Sequence, residues 1–181
     1  MHPRLAAVID YADSARTELL ATVDAVPHPL REARPSEQAW SVAEILEHLM
    51  IVERGVAKLV ALKLGEMQTL ADPPREAPDD VPVDITKLQR LSDRSIRLPA
   101  PDRVVPRGQL SAEEALSALL ITRGVLLAQL HAADGYALSQ ASHPHPFFGS
   151  LDLYEWVFMT GGHELRHAAQ IREVAAQLAA H

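Results

Sequence analysis

No cysteine occurs among the 181 residues. That excludes a disulfide framework, thiolate metal ligands and a protein thiol nucleophile. Any metal held by this chain must be held by His, Asp or Glu. Aromatic residues make up only 4%, so the core has to be built mostly from Leu, Ala, Val and Ile. No apolar run approaches the ~18–20 residues of a membrane span, and the first residues lack the apolar stretch of a signal peptide. The expectation is a cytoplasmic protein with no membrane partner. Basic clusters are also missing, and the net charge of −7 with neutral histidines argues against a nucleic-acid partner, since binding a phosphate backbone requires a concentrated basic surface. A small-molecule substrate remains open.

What the chain does contain is helical periodicity. From Arg4 to about Ala25, Leu5, Ile9, Ala12, Leu19 and Val23 recur at three- and four-residue spacing, with Asp10, Asp13, Arg16 and Glu18 largely between them. This predicts a first amphipathic helix. Pro27, Pro29 and Pro35 then break the pattern. Ser41-Val42-Ala43-Glu44 fits a capping box for a second helix running to about Leu64, with Trp40 placed to staple onto Ile45. Ile45, Leu49, Val52, Val56 and Leu59 form its apolar stripe, and His48 lies on the stripe's edge. A lone histidine there reads first as a core-edge residue satisfied by a hydrogen bond.

Between Asp72 and Pro106 seven prolines and many charges prevent a continuous helix. This predicts a long Pro-rich crossover between the second and third helices, holding a short helix from about Asp84 to Ile96 anchored by Ile85, Leu88 and Leu91. Connections this long are uncommon in compact domains unless they cover a site or join elements that are not antiparallel neighbours. Ser111-Ala112-Glu113-Glu114 is a second capping box, opening a third helix through about His131, and a loop ending in Ser142-His143-Pro144-His145-Pro146-Phe147-Phe148-Gly149 follows. The fourth helix starts near Asp152, which can cap with Glu155, and continues to about Ala179. Neither half offers enough helices to close its own core. The expected architecture is one domain, residues 1–181, with an all-α four-helix bundle and no convincing strand.

On the fourth helix His163 and His167 lie four apart, about one turn from each other on the same face. Their ring nitrogens can reach one metal ion. Nine histidines in a chain of this length give roughly 0.4 such pairs by chance, so the pair alone is weak evidence. His163-Glu164-Leu165-Arg166-His167 also matches the zinc-peptidase pattern. That reading needs a third ligand downstream, where Glu173 is the sole acid and His181 the last histidine. A bundle builds metal sites from facing helices instead. His48 can supply a third nitrogen if its end of the second helix packs against the His163 level of the fourth. Glu164 and Arg166 point away from the ligand line and read as a solvated face or inter-helix pairs. Gln170, one turn beyond His167, is placed to hydrogen-bond a metal-bound water or a substrate, or to bridge helices as a buried amide. His143 and His145 read as loop-ordering residues beside prolines, with the mouth of a pocket as their other role. Gly161-Gly162 inside a helix asks for a reason such as close packing.

Three stretches together resemble the DinB-like (damage-inducible) four-helix-bundle metalloproteins: Trp40 through Leu49, His145-Pro146-Phe147-Phe148-Gly149, and Glu155-Trp156 followed by His163 through Ile171. The resemblance covers most of the chain. It implies a metal-binding histidine triad at His48, His163 and His167. Three imidazoles leave the ion open to exogenous ligands, as in catalytic sites, and zinc, nickel and iron all suit such donors, with zinc favoured. The resemblance further implies a transferase that activates a low-molecular-weight thiol, consistent with a chain that has no thiol of its own. A metal-dependent hydrolase and a non-catalytic metal-binding stress protein are the alternatives. Relatives also pair as dimers through helix faces, so a homodimer is an expectation of the same kind.

Overall fold

The computed structural model describes residues 1–78, 82–89, 91, 93–96 and 98–180. Four α-helices dominate: α1 (Pro3–Asp24), α2 (Val42–Gln68), α3 (Ala112–Ala132) and α4 (Leu153–Ala179). Each of the last three begins on a reciprocal capping box: Ser41 with Glu44, Ser111 with Glu114, and Asp152 with Glu155. Orphan first-turn amides are thereby satisfied where the helix dipole also favours an acid. Trp40, just before α2, packs against the core cluster that contains Ile45.

The core has two apolar layers. One gathers Leu5, Val8 and Ile9 of α1, Val56 to Met67 of α2, Leu126 and Leu130 of α3, and Leu153 to Met159 of α4. The other gathers Leu19 and Val23, Val42 to Met50, Ala112 to Leu119, and Ala168 to Val174. The order in which each helix meets the two layers fixes the topology. α1 and α4 run one way, while α2 and α3 run the other; α1 packs along α4, and α2 along α3. Because α2 and α3 are parallel neighbours, the end of α2 at Gln68 and the start of α3 at Ala112 lie in different layers of the bundle.

Between the two layers lies a buried ion quartet with one member from each helix. Glu53 of α2 accepts from Arg16 of α1 at 2.9 Å and from Arg123 of α3 at 2.6 Å. Glu164 of α4 accepts from the same two arginines. All four side chains are at least nine-tenths buried. Glu164 is therefore an inter-helix partner and not part of a solvated face.

Two expectations are corrected. The segment Asp84 to Ile96 forms no α-helix among its described residues, only a 3-10 turn at Thr86–Leu88; Arg90 and Ser92 of that stretch lie outside the described residues. Leu88 and Leu91 are buried anchors, but Ile85 is exposed. Arg166 takes up the carbonyls of Leu91, Asp93 and Ile96, which fixes the segment by side-chain bonding in place of helical bonding. The loop before α4 contains a hairpin of two short antiparallel strands, β1 (Ser142–His145) and β2 (Gly149–Asp152), with His145 opposite Gly149. Its flanking prolines mask the strand pattern in sequence, and Gly149 takes the positive φ of 72° that the turn requires. α3 is in addition long and apolar enough to meet the length and composition of a membrane span. Arg123 enters the ion quartet from it, and Leu119, Leu126 and Leu130 are core residues.

Candidate metal centre

The face shared by α2 and α4 brings His48 together with two histidines, His163 and His167, more than 100 residues away in sequence. His48 is fixed in the second turn of α2, and the capping box at Ser41 fixes where that helix begins. His163 and His167 stand one turn apart on α4. The Nε2 atom of His163 lies 3.2 Å from Nε2 of His48 and 3.0 Å from Nε2 of His167. One ligand atom from each ring falls within 4.8 Å of the others, so the group could hold a metal ion. For comparison, donors about 2.0–2.1 Å from a tetrahedral ion are about 3.3 Å apart.

The opposite ring atoms decide which way the lone pairs face. Nδ1 of His48 is 2.7 Å from the carbonyl oxygen of Val104. A carbonyl only accepts, so the ring proton sits on Nδ1 and Nε2 is left bare. Nδ1 of His167 donates in the same way to Oε1 of Gln170 at 2.7 Å. Two bare nitrogens thus converge on the third ring, an arrangement that suits a cation between them and gives two protonated imidazoles no room. Such hydrogen-bonded orientation of the far nitrogen is the usual support for a metal-binding histidine.

Burial keeps all three rings neutral near pH 7. It lowers the pKa of His48, lowers that of His167 to about 3 with help from the His48 charge, and drives that of His163 well below the ordinary range, with the other two rings adding to the effect. Neutral imidazole is the ligand form. The donor set, its bare nitrogens and its charge state all fit a divalent ion.

The three histidines open onto a cavity of about 1080 Å3. Trp40, Phe147, Phe148 and Trp156 give it an aromatic wall, and the Trp40 ring lies 5.1 Å from that of His48. Expectation and structure agree on His48, His163 and His167 lying together, and Gln170 is placed as the orienting partner of His167 instead of a helix-bridging amide. Glu44 and Glu47, the two acids within a turn before His48 on α2, are engaged elsewhere: Glu44 pairs with Arg34 and the Ser41 cap, and Glu47 accepts from the amides of Arg107 and Gly108. Val104 orients His48 from 56 residues away.

His143 and His145 both line the cavity, so they are more than loop-ordering residues. Arg94 and Arg103, before α3, and Arg166 of α4 also line it; the sequence does not signal this, because an arginine looks the same wherever it points. The glycine pair on α4 has a packing cause. A Cβ on Gly161 would lie 2.8 Å from the Tyr11 ring, and one on Gly162 would lie 2.7 Å from Leu91.

Comparison with known proteins agrees with this picture. The crystal structure of TT2238, a four-helix bundle protein, superposes with a TM-score of 0.58 over 93% of this chain and 98% of that one, at 21% identity, which speaks to the fold alone. The uncharacterized protein YuaE of Bacillus subtilis (strain 168) is 24% identical over 146 residues, covering 80% of this chain and 83% of its own. The DinB superfamily model matches residues 11–171, nearly the whole bundle and all three histidines. The chain belongs to the DinB superfamily.

Proposed function

We propose that His48, His163 and His167 bind a divalent metal ion, with zinc favoured over nickel or iron, and that the protein is a transferase joining a low-molecular-weight thiol to an electrophile in the adjoining cavity. The observation that carries this reading is the convergence of three histidines, two of them with a bare Nε2 fixed by their far hydrogen bonds, on a cavity of about 1080 Å3, the upper end of the ~300–1,000 Å3 of small-molecule sites. That volume has room for two organic reactants. When bound, the ion supplies Lewis acidity that brings the pKa of a thiol toward neutrality.

The chain's own residues supply the rest. Val104 and Gln170 hold the imidazoles in the correct tautomer, and Trp40, Phe148 and Trp156 exclude water from the apolar side of the cavity. In the reaction the thiol sulfur forms a bond to an electrophilic carbon while that carbon's bond to its leaving group breaks; the leaving group departs with the bonding pair and takes up the thiol proton directly or through solvent. The absence of cysteine agrees with a nucleophile that comes from a cosubstrate. Hydrolysis is less well supported, because its water would want a carboxylate base. Among the described lining residues the only carboxylate is Glu173, paired with Arg94, and Glu164 is locked in the ion quartet.

The test is consumption of bacillithiol, mycothiol or glutathione with a panel of electrophiles by the zinc-loaded protein. Saturable turnover lost in His163→Ala is expected. No turnover with any thiol, alongside chelator-sensitive cleavage of an ester or amide, would move the assignment to a hydrolase; silence in every panel with metal binding intact would leave a metal-binding protein without catalysis.

A further inference from the structure

The cavity is positively charged although the protein is acidic. Among the described residues, its lining carries Arg94, Arg103 and Arg166 against the single carboxylate Glu173, whereas the whole chain has a net charge of −7. Arg94 is paired with Glu173. Arg166 commits its guanidinium to three backbone carbonyls. Arg103 has neither an ion pair nor a side-chain hydrogen bond among the described residues.

His145 lines the same cavity with a defined donor. The amide of Phe147 donates to its Nδ1 at 3.2 Å, so the neutral ring carries its proton on Nε2. That Nε2–H has no partner among the described residues. The ring itself is held between Phe148, with centroids 4.8 Å apart, and Trp156, at 5.0 Å. The Arg103 charge is felt at this ring, where together with burial it lowers the pKa to about 4. Neither residue hangs on a free loop. Arg103 belongs to the 3-10 turn Asp102–Val104, whose Val104 carbonyl is bonded to His48, and His145 ends the strand paired with Gly149.

We propose that Arg103 and His145 form an anion subsite in the wall of the histidine cavity, and that it takes the carboxylate of an amphiphilic substrate whose apolar, ring-bearing body packs against Trp40, Phe148 and Trp156. One uncommitted guanidinium and one neutral N–H match a monoanion; a phosphate dianion in the same place would leave a charge unbalanced beside aromatic rings. A cationic substrate meets the wrong sign. The substrate assignment rests on the transferase reading, in which this molecule is the electrophile, while the subsite itself does not.

Trp40 and Trp156 are the protein's two tryptophans and both line the cavity, so intrinsic fluorescence reports on this place. The experiment titrates 4-phenylbutyrate and its neutral amide, 4-phenylbutanamide, into zinc-loaded and chelator-treated protein. The acid should bind about tenfold more tightly than the amide in both forms, the scale of a charge-assisted hydrogen bond. Arg103→Gln, at an exposed position, and His145→Phe, which keeps the stacking and removes the donor, should each bring the acid close to the amide. Unchanged binding of the amide shows that the variants are folded. Equal affinities in the parent protein, or a preference untouched by Arg103→Gln, would overturn the subsite. So would a preference seen only with zinc bound, since the carboxylate would then be on the metal. A protein that shows the Arg103-dependent preference but no thiol turnover loses the transferase reading and keeps the subsite; the converse result does the reverse.

Discussion

His167 depends on one neighbouring side chain for its orientation, and that dependence can be measured. Gln170→Leu keeps volume and helix propensity but removes the acceptor for Nδ1–H. Metal affinity, read by competition with a chromophoric chelator, should fall about 10–100-fold, the usual effect of losing such a support; unchanged affinity would mean that packing alone orients the ring. The low pKa values also make a stability prediction for the metal-free protein. His167 titrates near 3 and His145 near 4 when folded, against 6.5 for a free ring. Between those values the unfolded chain binds more protons, so stability rises with pH through the window and is lost as pH falls from about 6.5. Urea midpoints should drop between about pH 7 and about pH 5, above the carboxylate range, and less so in His167→Gln. That the three histidines belong together was legible in sequence from the four-residue spacing of His163 and His167 and, for His48, only from the resemblance to the DinB-like proteins, while the capping box places His48 on its helix. Their orienting partners were not, since a carbonyl 56 residues away leaves no mark on the sequence around His48.

Element boundaries show the same division between local and long-range causes. The three capping boxes and the apolar stripes were readable because each is settled within one or two helical turns. The hairpin at Ser142–Asp152 and the 3-10 turn at Thr86–Leu88 were not, because prolines and tertiary bonds from Arg166 decide them. Gly161 and Gly162 lie between these cases: their oddity inside a helix was plain, while its cause needed the neighbours. Replacing either by alanine gains about 0.5–1 kcal/mol of helix propensity. At Gly161 the new methyl group meets the Tyr11 ring, which is stacked on Phe158 with centroids 3.9 Å apart, and also approaches the Ala12 backbone at 3.1 Å. At Gly162 it meets mainly the far end of Leu91, a side chain that can turn. Gly161→Ala should therefore destabilise by about 1–3 kcal/mol, as overpacking does, and Gly162→Ala should be within about 1 kcal/mol of neutral. Equal effects in urea denaturation would show that α1 yields as readily as a leucine.

Across the whole molecule, the ion quartet is a polar layer to which all four helices contribute, and it lies next to the candidate metal centre. Glu164 follows His163 on α4, and Glu53 is five residues beyond His48 on α2. Of the quartet's members, Glu164 stood out in sequence only through the zinc-peptidase pattern, and Arg16, Glu53 and Arg123 did not stand out at all, because a charge between apolar positions of an amphipathic helix normally faces water. Its contribution to stability is doubtful on physical grounds. Desolvating four charges offsets much of their attraction, and Nη1 of Arg16 is buried without a hydrogen-bond partner among the described residues. Its contribution to register is easier to argue: sliding α4 by one turn against α2 would strand two buried carboxylates, whereas sliding one leucine layer past another has no such penalty. Removing one member should thus be severe and removing all four mild. Glu53→Ala should lose about 3–5 kcal/mol, while the quadruple change Arg16→Met, Glu53→Leu, Arg123→Met and Glu164→Leu should recover parental stability or exceed it by about 1–4 kcal/mol. The same quadruple variant should bind zinc at least about tenfold more weakly, because His48 and His163 no longer share a fixed level. Parental zinc affinity in that stable variant would show that the apolar layers alone set the register that brings the three histidines together.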